Sequence, residues 1–136
     1  MKAIKATSKF YCGIDVSGDS LDVCYQAPGG NLEWYKCTNN AEGFKQIWQH
    51  TGKLYHFVME STGVYQLPFC FFLESKKARY SVVNALQIKR YIQMKLERNK
   101  TDKKDAFHIC MYGVDHNSEY YEMPSHLYFE CRAINN

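Results

Sequence analysis

The chain has 136 residues, of which 46% are hydrophobic and 15% aromatic, and its formal net charge is +3 at pH 7. This length suits one domain with a substantial core, and the composition excludes a disordered chain. No apolar run approaches the roughly 20 residues of a membrane-spanning helix, and the start, MKAIKATSKFYCG, lacks the apolar centre of a signal peptide. We therefore expect a cytoplasmic globular protein.

The first part of the chain predicts three short strands, over residues 9–16, 20–26 and 32–37. Their apolar runs are separated by Gly18-Asp19 and by the sequence PGGN, which are typical turn residues. Three consecutive strands joined by tight turns predict an antiparallel meander.

Helices and strands then alternate. The apolar spacing predicts helices over 41–50 and 65–77, strands over 54–59 and 80–83, and two final helices over 86–96 and 102–112, the last ended by Gly113. This order predicts an α/β fold with a mixed five-stranded sheet flanked by helices. The pattern weakens after residue 114, so we expect a domain over 9–114 and a tail over 115–136.

Six cysteines are spaced widely and irregularly, without a CxxC pair. In a cytoplasmic chain this pattern indicates buried, reduced thiols rather than a disulfide framework or a zinc site. The six are Cys12, Cys24, Cys37, Cys70, Cys110 and Cys131.

Basic residues are concentrated between residues 76 and 104. This segment contains ten basic and two acidic residues, which give it a local charge of +8. Such a segment suits a phosphodiester backbone, although a solvated Lys-rich helix face would have the same composition. The candidate nucleic-acid contacts are Lys89, Arg90, Lys100, Lys103 and Lys104.

Four acids occupy unusual positions. Asp15 and Glu60 end apolar strands, and Asp102 and Asp105 lie three residues apart at the start of a predicted helix. A buried acid is costly unless it is paired or binds a cation, and strands one and four can be neighbours in this sheet. The set therefore predicts a carboxylate site for divalent cations, with magnesium as the default and manganese as a substitute.

Each acid also has a local explanation. Asp15 could cap the turn that follows it, and Glu60 could cap a helix beginning near Thr62. Asp102 is a good N-cap residue and Asp105 a good first-turn acid.

Four blocks, GIDVSGDSLDV, MESTGVY, VNALQIKRY and KTDKKDA, resemble the N-terminal domain of IS110-family transposases over residues 10–113. The resemblance implies a RuvC-like RNase H fold with an Asp-Glu-Asp-Asp tetrad, corresponding to Asp15, Glu60, Asp102 and Asp105. Family members usually have Lys where this chain has Gly18.

The resemblance further implies a metal-dependent DNA transposase or recombinase domain. Family members are longer and carry a catalytic serine in a second domain, so the tail would begin a linker to that domain. The implied partners are DNA, a structured guide RNA from the element, and further copies of the full-length protein.

Two other functions fit the same residues. A stand-alone RuvC-like junction resolvase or nuclease would use the tetrad without a serine. A non-catalytic nucleic-acid-binding fragment would retain the fold, and its four acids would lie far apart.

Overall fold

The computed structural model describes residues 10–99 and 105–116. In this part of the chain, helices alternate with strands after an initial run of three strands. The elements are β1 (Phe10–Val16), β2 (Ser20–Gln26), β3 (Leu32–Thr38), α1 (Ala41–His50), β4 (Tyr55–Glu60), α2 (Leu67–Ser75), β5 (Arg79–Val83), α3 (Ala85–Asn99) and α4 (Asp105–His116). The predicted order is confirmed, while residue 102, the expected start of the last helix, lies outside the described residues.

The five strands form one mixed sheet in the order β3-β2-β1-β4-β5. The three strands of the meander pair antiparallel, whereas β1–β4 and β4–β5 pair parallel. Parallel neighbours need a crossover, and the segments containing α1 and α2 supply it. The α/β sheet expected from the sequence is therefore confirmed, with β1 at its centre.

Helices cover both faces of the sheet. Alternate residues of each strand point to opposite faces, so each face has its own apolar core. On one face the apolar residues of β1, β2 and β4 pack against Phe44 and Ile47 of α1 and Phe69 and Leu73 of α2. On the other face, α3 and α4 cover a smaller core of Tyr11, Cys24, Val58, Val83, Ile88, Ala106, Ile109 and Cys110.

Two glycines allow α4 to lie directly on β1. A Cβ atom at Gly13 would come within 2.3 Å of the Cys110 backbone nitrogen and 2.6 Å of the Ala106 carbonyl oxygen. A Cβ atom at Gly113 would lie 2.7 Å from a ring carbon of Tyr11. Gly113 is thus a packing position inside α4, and the expectation that it ends the helix is wrong. These contacts make α4 antiparallel to β1, with the first turn of α4 towards the carboxyl end of β1.

Cysteines 12, 24, 37, 70 and 110 are buried, reduced thiols, as the sequence predicts, and Cys131 lies outside the described residues. None of the helices within 10–99 and 105–116 is long and apolar enough to cross a membrane.

Candidate carboxylate site

Asp15 and Glu60 lie side by side at the carboxyl ends of two neighbouring strands. In the parallel β1–β4 register, Ile14 is opposite Met59, so Asp15 and Glu60 occupy the next step along the pair. By alternation both point to the face covered by α4, and both are half-buried. The two strands therefore hold two carboxylates at their carboxyl ends, at one end of the sheet.

Asp105 reaches the same end of the sheet from α4. The helix begins at this residue, and the next one, Ala106, lies against Gly13, two positions before Asp15. Three of the four predicted acids thus lie at the same end of the sheet, near the carboxyl ends of β1 and β4. Asp102, and with it Lys100, Lys103 and Lys104, falls in the gap between the two described ranges.

Burial and nearby negative charges raise the pKa of Asp15 and of Glu60. Burial raises the pKa of Asp15 to about 6, and the negative charges of Asp105, Asp22 and Glu60 contribute to the shift. Burial also raises the pKa of Glu60, as does Asp105, whereas the cationic Lys89 lowers it. The three carboxyls therefore influence one another electrostatically. They are far apart in the sequence, so this coupling follows from the fold.

Asp22 is a fourth acid near this unit that the sequence reasoning missed. It is the antiparallel partner of Asp15 in the β1–β2 pair, and its carboxylate lies 3.9 Å from the Lys36 ammonium. Aligning the two strands across the turn at residues 17–20 would have placed it there. Asp22 therefore adds negative charge beside Asp15, partly balanced by Lys36.

The local explanation for Glu60 is not realised, because α2 begins at Leu67 and no helix starts near Thr62. The side-chain oxygen of Gln66 instead accepts hydrogen bonds from the Thr62 backbone N–H, at 3.1 Å, and from the Thr62 hydroxyl, at 2.9 Å. Glu60 therefore ends β4 without capping a helix at that position.

A side chain bridges the two loops beside the acids. The Asn39 amide donates to the Ser17 carbonyl at 2.9 Å and to the Tyr65 carbonyl at 3.1 Å. The Tyr65 ring covers Gly18, where a Cβ atom would lie 3.4 Å from it. The loops after β1 and β4 are thus held together around the site. Gly18, where the resemblance leads us to expect a lysine, is the position that Tyr65 covers.

The two candidate nucleic-acid contacts within the described residues lie on α3. Lys89 and Arg90 are both exposed, and Lys89 is near enough to Glu60 to lower its pKa. Lys89 is therefore a cation at the margin of the carboxylates. Arg90 is the next residue along α3.

The donor chemistry of the site fits a hard divalent cation, because all the candidate ligands are carboxylate oxygens that repel one another. Within residues 10–99 and 105–116, however, no three His, Cys, Asp or Glu side chains are close enough to hold an ion as they stand. The described ligand set is incomplete, since Asp102 lies outside it.

A mixed sheet with acids at the carboxyl ends of its central strands defines an RNase H-like domain of the RuvC type. The structure of T. thermophilus RuvC in complex with a Holliday junction substrate superposes with a TM-score of 0.51 at 9% identity, over 77% of this chain and 92% of that one. At this identity the likeness establishes the fold.

The family model of IS110-type DEDD transposases matches residues 12–136, and the chain belongs to this transposase family. The pilin gene-inverting proteins of Moraxella bovis and Moraxella lacunata are 33% and 32% identical over 118 residues. Those matches cover 81% of this chain, and the chain spans 36% of the length of these relatives.

Proposed function

We propose that this chain is the carboxylate half of a DNA transposase or recombinase, with Asp15, Glu60, Asp102 and Asp105 acting together on DNA phosphodiester bonds. The observation that supports it best is that acids from three separate segments lie at one end of the sheet, where burial, together with the nearby negative charges, raises the pKa of Asp15 to about 6. Such clustering is costly to the fold, and costly carboxylate clusters are typical of functional sites.

The acids within the described residues are carried by different secondary-structure elements. Asp15 and Glu60 project from paired strands, and Asp105 from a helix that packs on β1, so all three have fixed positions. The site would hold Mg²⁺, with Mn²⁺ as a substitute, and these ions supply activation of a nucleophile and stabilisation of the leaving oxygen. Lys89 would contact a phosphate of the DNA strand beside Glu60.

The remaining parts of the reaction would come from outside the described residues. Because the chain spans 36% of its relatives' length, a serine-bearing second domain would complete the enzyme. The linker to it would begin after His116, where α4 ends, and not at residue 115 as expected from the sequence. A homo-oligomer of the full-length protein and a structured guide RNA that selects the DNA belong to the same proposal. Cleavage of branched DNA by this chain without that domain would instead favour a stand-alone junction nuclease.

Metal binding is expected to depend on pH through Asp15. A cation binds the ionised carboxylate, and a proton competes with it below the raised pKa of about 6. The apparent affinity for Mn²⁺ should therefore fall as the pH drops through about 6, by about tenfold per pH unit for each proton displaced. Isothermal titration with Mn²⁺ at a series of pH values measures this directly.

Asp22→Asn provides the matched variant for this titration. Removing the negative charge opposite Asp15 lowers the pKa of Asp15, so the pH at which Mn²⁺ affinity declines should move to lower values. An affinity that stays constant between about pH 5 and 8 would contradict the assignment of Asp15 as a ligand.

Lys89→Ala is expected to weaken DNA binding by a similar factor for all sequences and to reduce the salt dependence of the affinity by about one unit of slope. The reason is that an ammonium group reads the phosphate charge and not the base. Fluorescence anisotropy with labelled DNA at several salt concentrations measures both quantities. Lys53→Ala is the control, since this exposed lysine precedes β4 at the opposite end of the sheet. An unchanged slope for Lys89→Ala would remove Lys89 from the DNA-binding surface.

A further inference from the structure

A pocket of about 280 Å³ opens between β3 and α4, beside the carboxylates. Its wall is formed by Asp22, Val23, Trp34, Tyr35, Lys36 and Ala106. Two of these residues adjoin the site directly, since Asp22 is the partner of Asp15 and Ala106 follows Asp105. The pocket therefore adjoins the proposed carboxylate site through Asp22 and Ala106.

Trp34 is the feature of this pocket that the fold alone does not explain. One side of its indole stacks on Phe107, with ring centroids 6.4 Å apart and an interplanar angle of 28°. The residue is nevertheless 44% exposed, on the outermost strand of the sheet. A large aromatic ring held by a neighbour and open to solvent is a platform on which another flat ring can stack.

The charges around this platform suit a nucleotide. The Lys36 side chain is 65% exposed and its ammonium lies 3.9 Å from the Asp22 carboxylate, so it can also reach a phosphate. The pocket is slightly smaller than the roughly 300–1,000 Å³ of sites that bury drug-sized ligands, which favours a single planar ring system.

Strand spacing places the platform near the cleavage centre. Trp34 is opposite Cys24, two residues along β2 from Asp22, and Asp22 is opposite Asp15. With strands about 4.8 Å apart and a rise of about 3.4 Å per residue, Trp34 lies about 12 Å from Asp15 along the sheet. A base close to a phosphate held at Asp15 would therefore come to the indole.

We propose that Trp34 and the β3–α4 pocket bind an unstacked base of the DNA strand whose phosphate is held at the carboxylates. The inference rests on the proposed function, because it assumes that the DNA strand passes Asp15. Stacking on an indole tolerates any base, so this contact would position the strand without reading its sequence. A base in a duplex is already stacked on its neighbours, so the pocket would select single-stranded or distorted DNA.

The test compares two labelled single strands of equal length, one with bases and one with base-free sugars, by fluorescence anisotropy. Trp34→Ala should lose about 5- to 150-fold in affinity for the strand with bases, the range expected for one base stacked on an aromatic ring. It should bind the base-free strand like the unmodified protein, because the phosphates are unchanged. Trp34→Phe should recover most of the affinity, and it guards against misfolding of the alanine variant.

Leu54→Ala is the matched control, since Leu54 is an exposed apolar residue just before β4 at the opposite end of the sheet. Equal losses for the two strands, or no loss for either, would overturn the proposal. A third labelled strand, an RNA of the same sequence, tests the preference for DNA. A loss of affinity for that RNA strand alone would also overturn the proposal.

Mn²⁺ titration of Trp34→Ala separates this inference from the proposed function. Unchanged Mn²⁺ affinity with weaker binding of base-bearing DNA supports the pocket. If neither form binds Mn²⁺ while the base-dependent loss persists, the metal site fails and the pocket stands.

Discussion

Replacing Asp15 with asparagine is expected to stabilise the metal-free protein and to remove its response to metal. The pKa of Asp15 is raised from its usual value of 3.8 to about 6 in the folded chain. Its contribution to stability is therefore present at acidic pH and is lost as the pH rises through about 6, where the folded state must hold a half-buried anion among other anions. At about pH 8 the neutral amide avoids that cost, so the melting temperature should increase.

Whereas the stability of the metal-free protein should rise in Asp15→Asn, its affinity for Mn²⁺ should fall. Losing an outer residue that supports a metal ligand typically costs about 10–100-fold in affinity, so losing a ligand itself should cost at least about 100-fold. Thermal melting with and without Mn²⁺, together with isothermal titration, measures both effects. Asp19→Asn is the control, because Asp19 is an exposed acid in the adjacent turn. Unaltered Mn²⁺ affinity in Asp15→Asn would refute the carboxylate site.

Gly13→Ala is expected to be the most damaging conservative change in the site region. The new Cβ would lie 2.3 Å from the Cys110 nitrogen and 2.6 Å from the Ala106 carbonyl oxygen, and both are backbone atoms of α4. Because a helix backbone cannot rotate away as a side chain can, α4 must shift off β1. Overpacking usually costs about 1–3 kcal/mol, and we expect at least about 3 kcal/mol here.

Two other glycines calibrate this effect in urea denaturation. Gly113→Ala meets side-chain atoms of Tyr11 and Val58 at 2.7 and 2.8 Å, so its cost should be smaller. Gly29→Ala meets nothing within 4 Å and should stay within about 0.5 kcal/mol of the unmodified protein. Mn²⁺ affinity should decline in Gly13→Ala, since Asp105 moves with the helix. A Gly13→Ala protein as stable as Gly29→Ala would disprove the close packing.

The carboxylates and the close glycine contact belong to one arrangement. Asp105 can join Asp15 because Gly13 allows the first turn of α4 to lie on β1. The packing of α4 on the sheet then offsets the repulsion between these like charges. This explains why a substitution at Gly13, which carries no chemistry, should impair metal binding as well as folding.

Much of the fold follows from local sequence patterns. Alternating apolar residues and turn residues predicted the three antiparallel strands, and helical spacing predicted the elements after them. The expectation that Gly113 ends the helix is wrong, although a glycine near a helix end usually terminates it, because α4 continues to His116. The actual role of Gly113 depends on Tyr11, about a hundred positions earlier, which no local pattern contains.

The order of elements and the candidate acids follow from the amino-acid sequence, because hydrophobic period, turn chemistry and family motifs are all local properties. Which acids come near one another depends instead on strand register and helix packing. The register of β1 with β4 brings Glu60 to Asp15, and the pairing of β1 with β2 adds Asp22. The direction of α4 adds Asp105, and the stacking of Trp34 on Phe107 creates the platform beside them. Register and helix packing join distant residues, and so they depend on the folded chain.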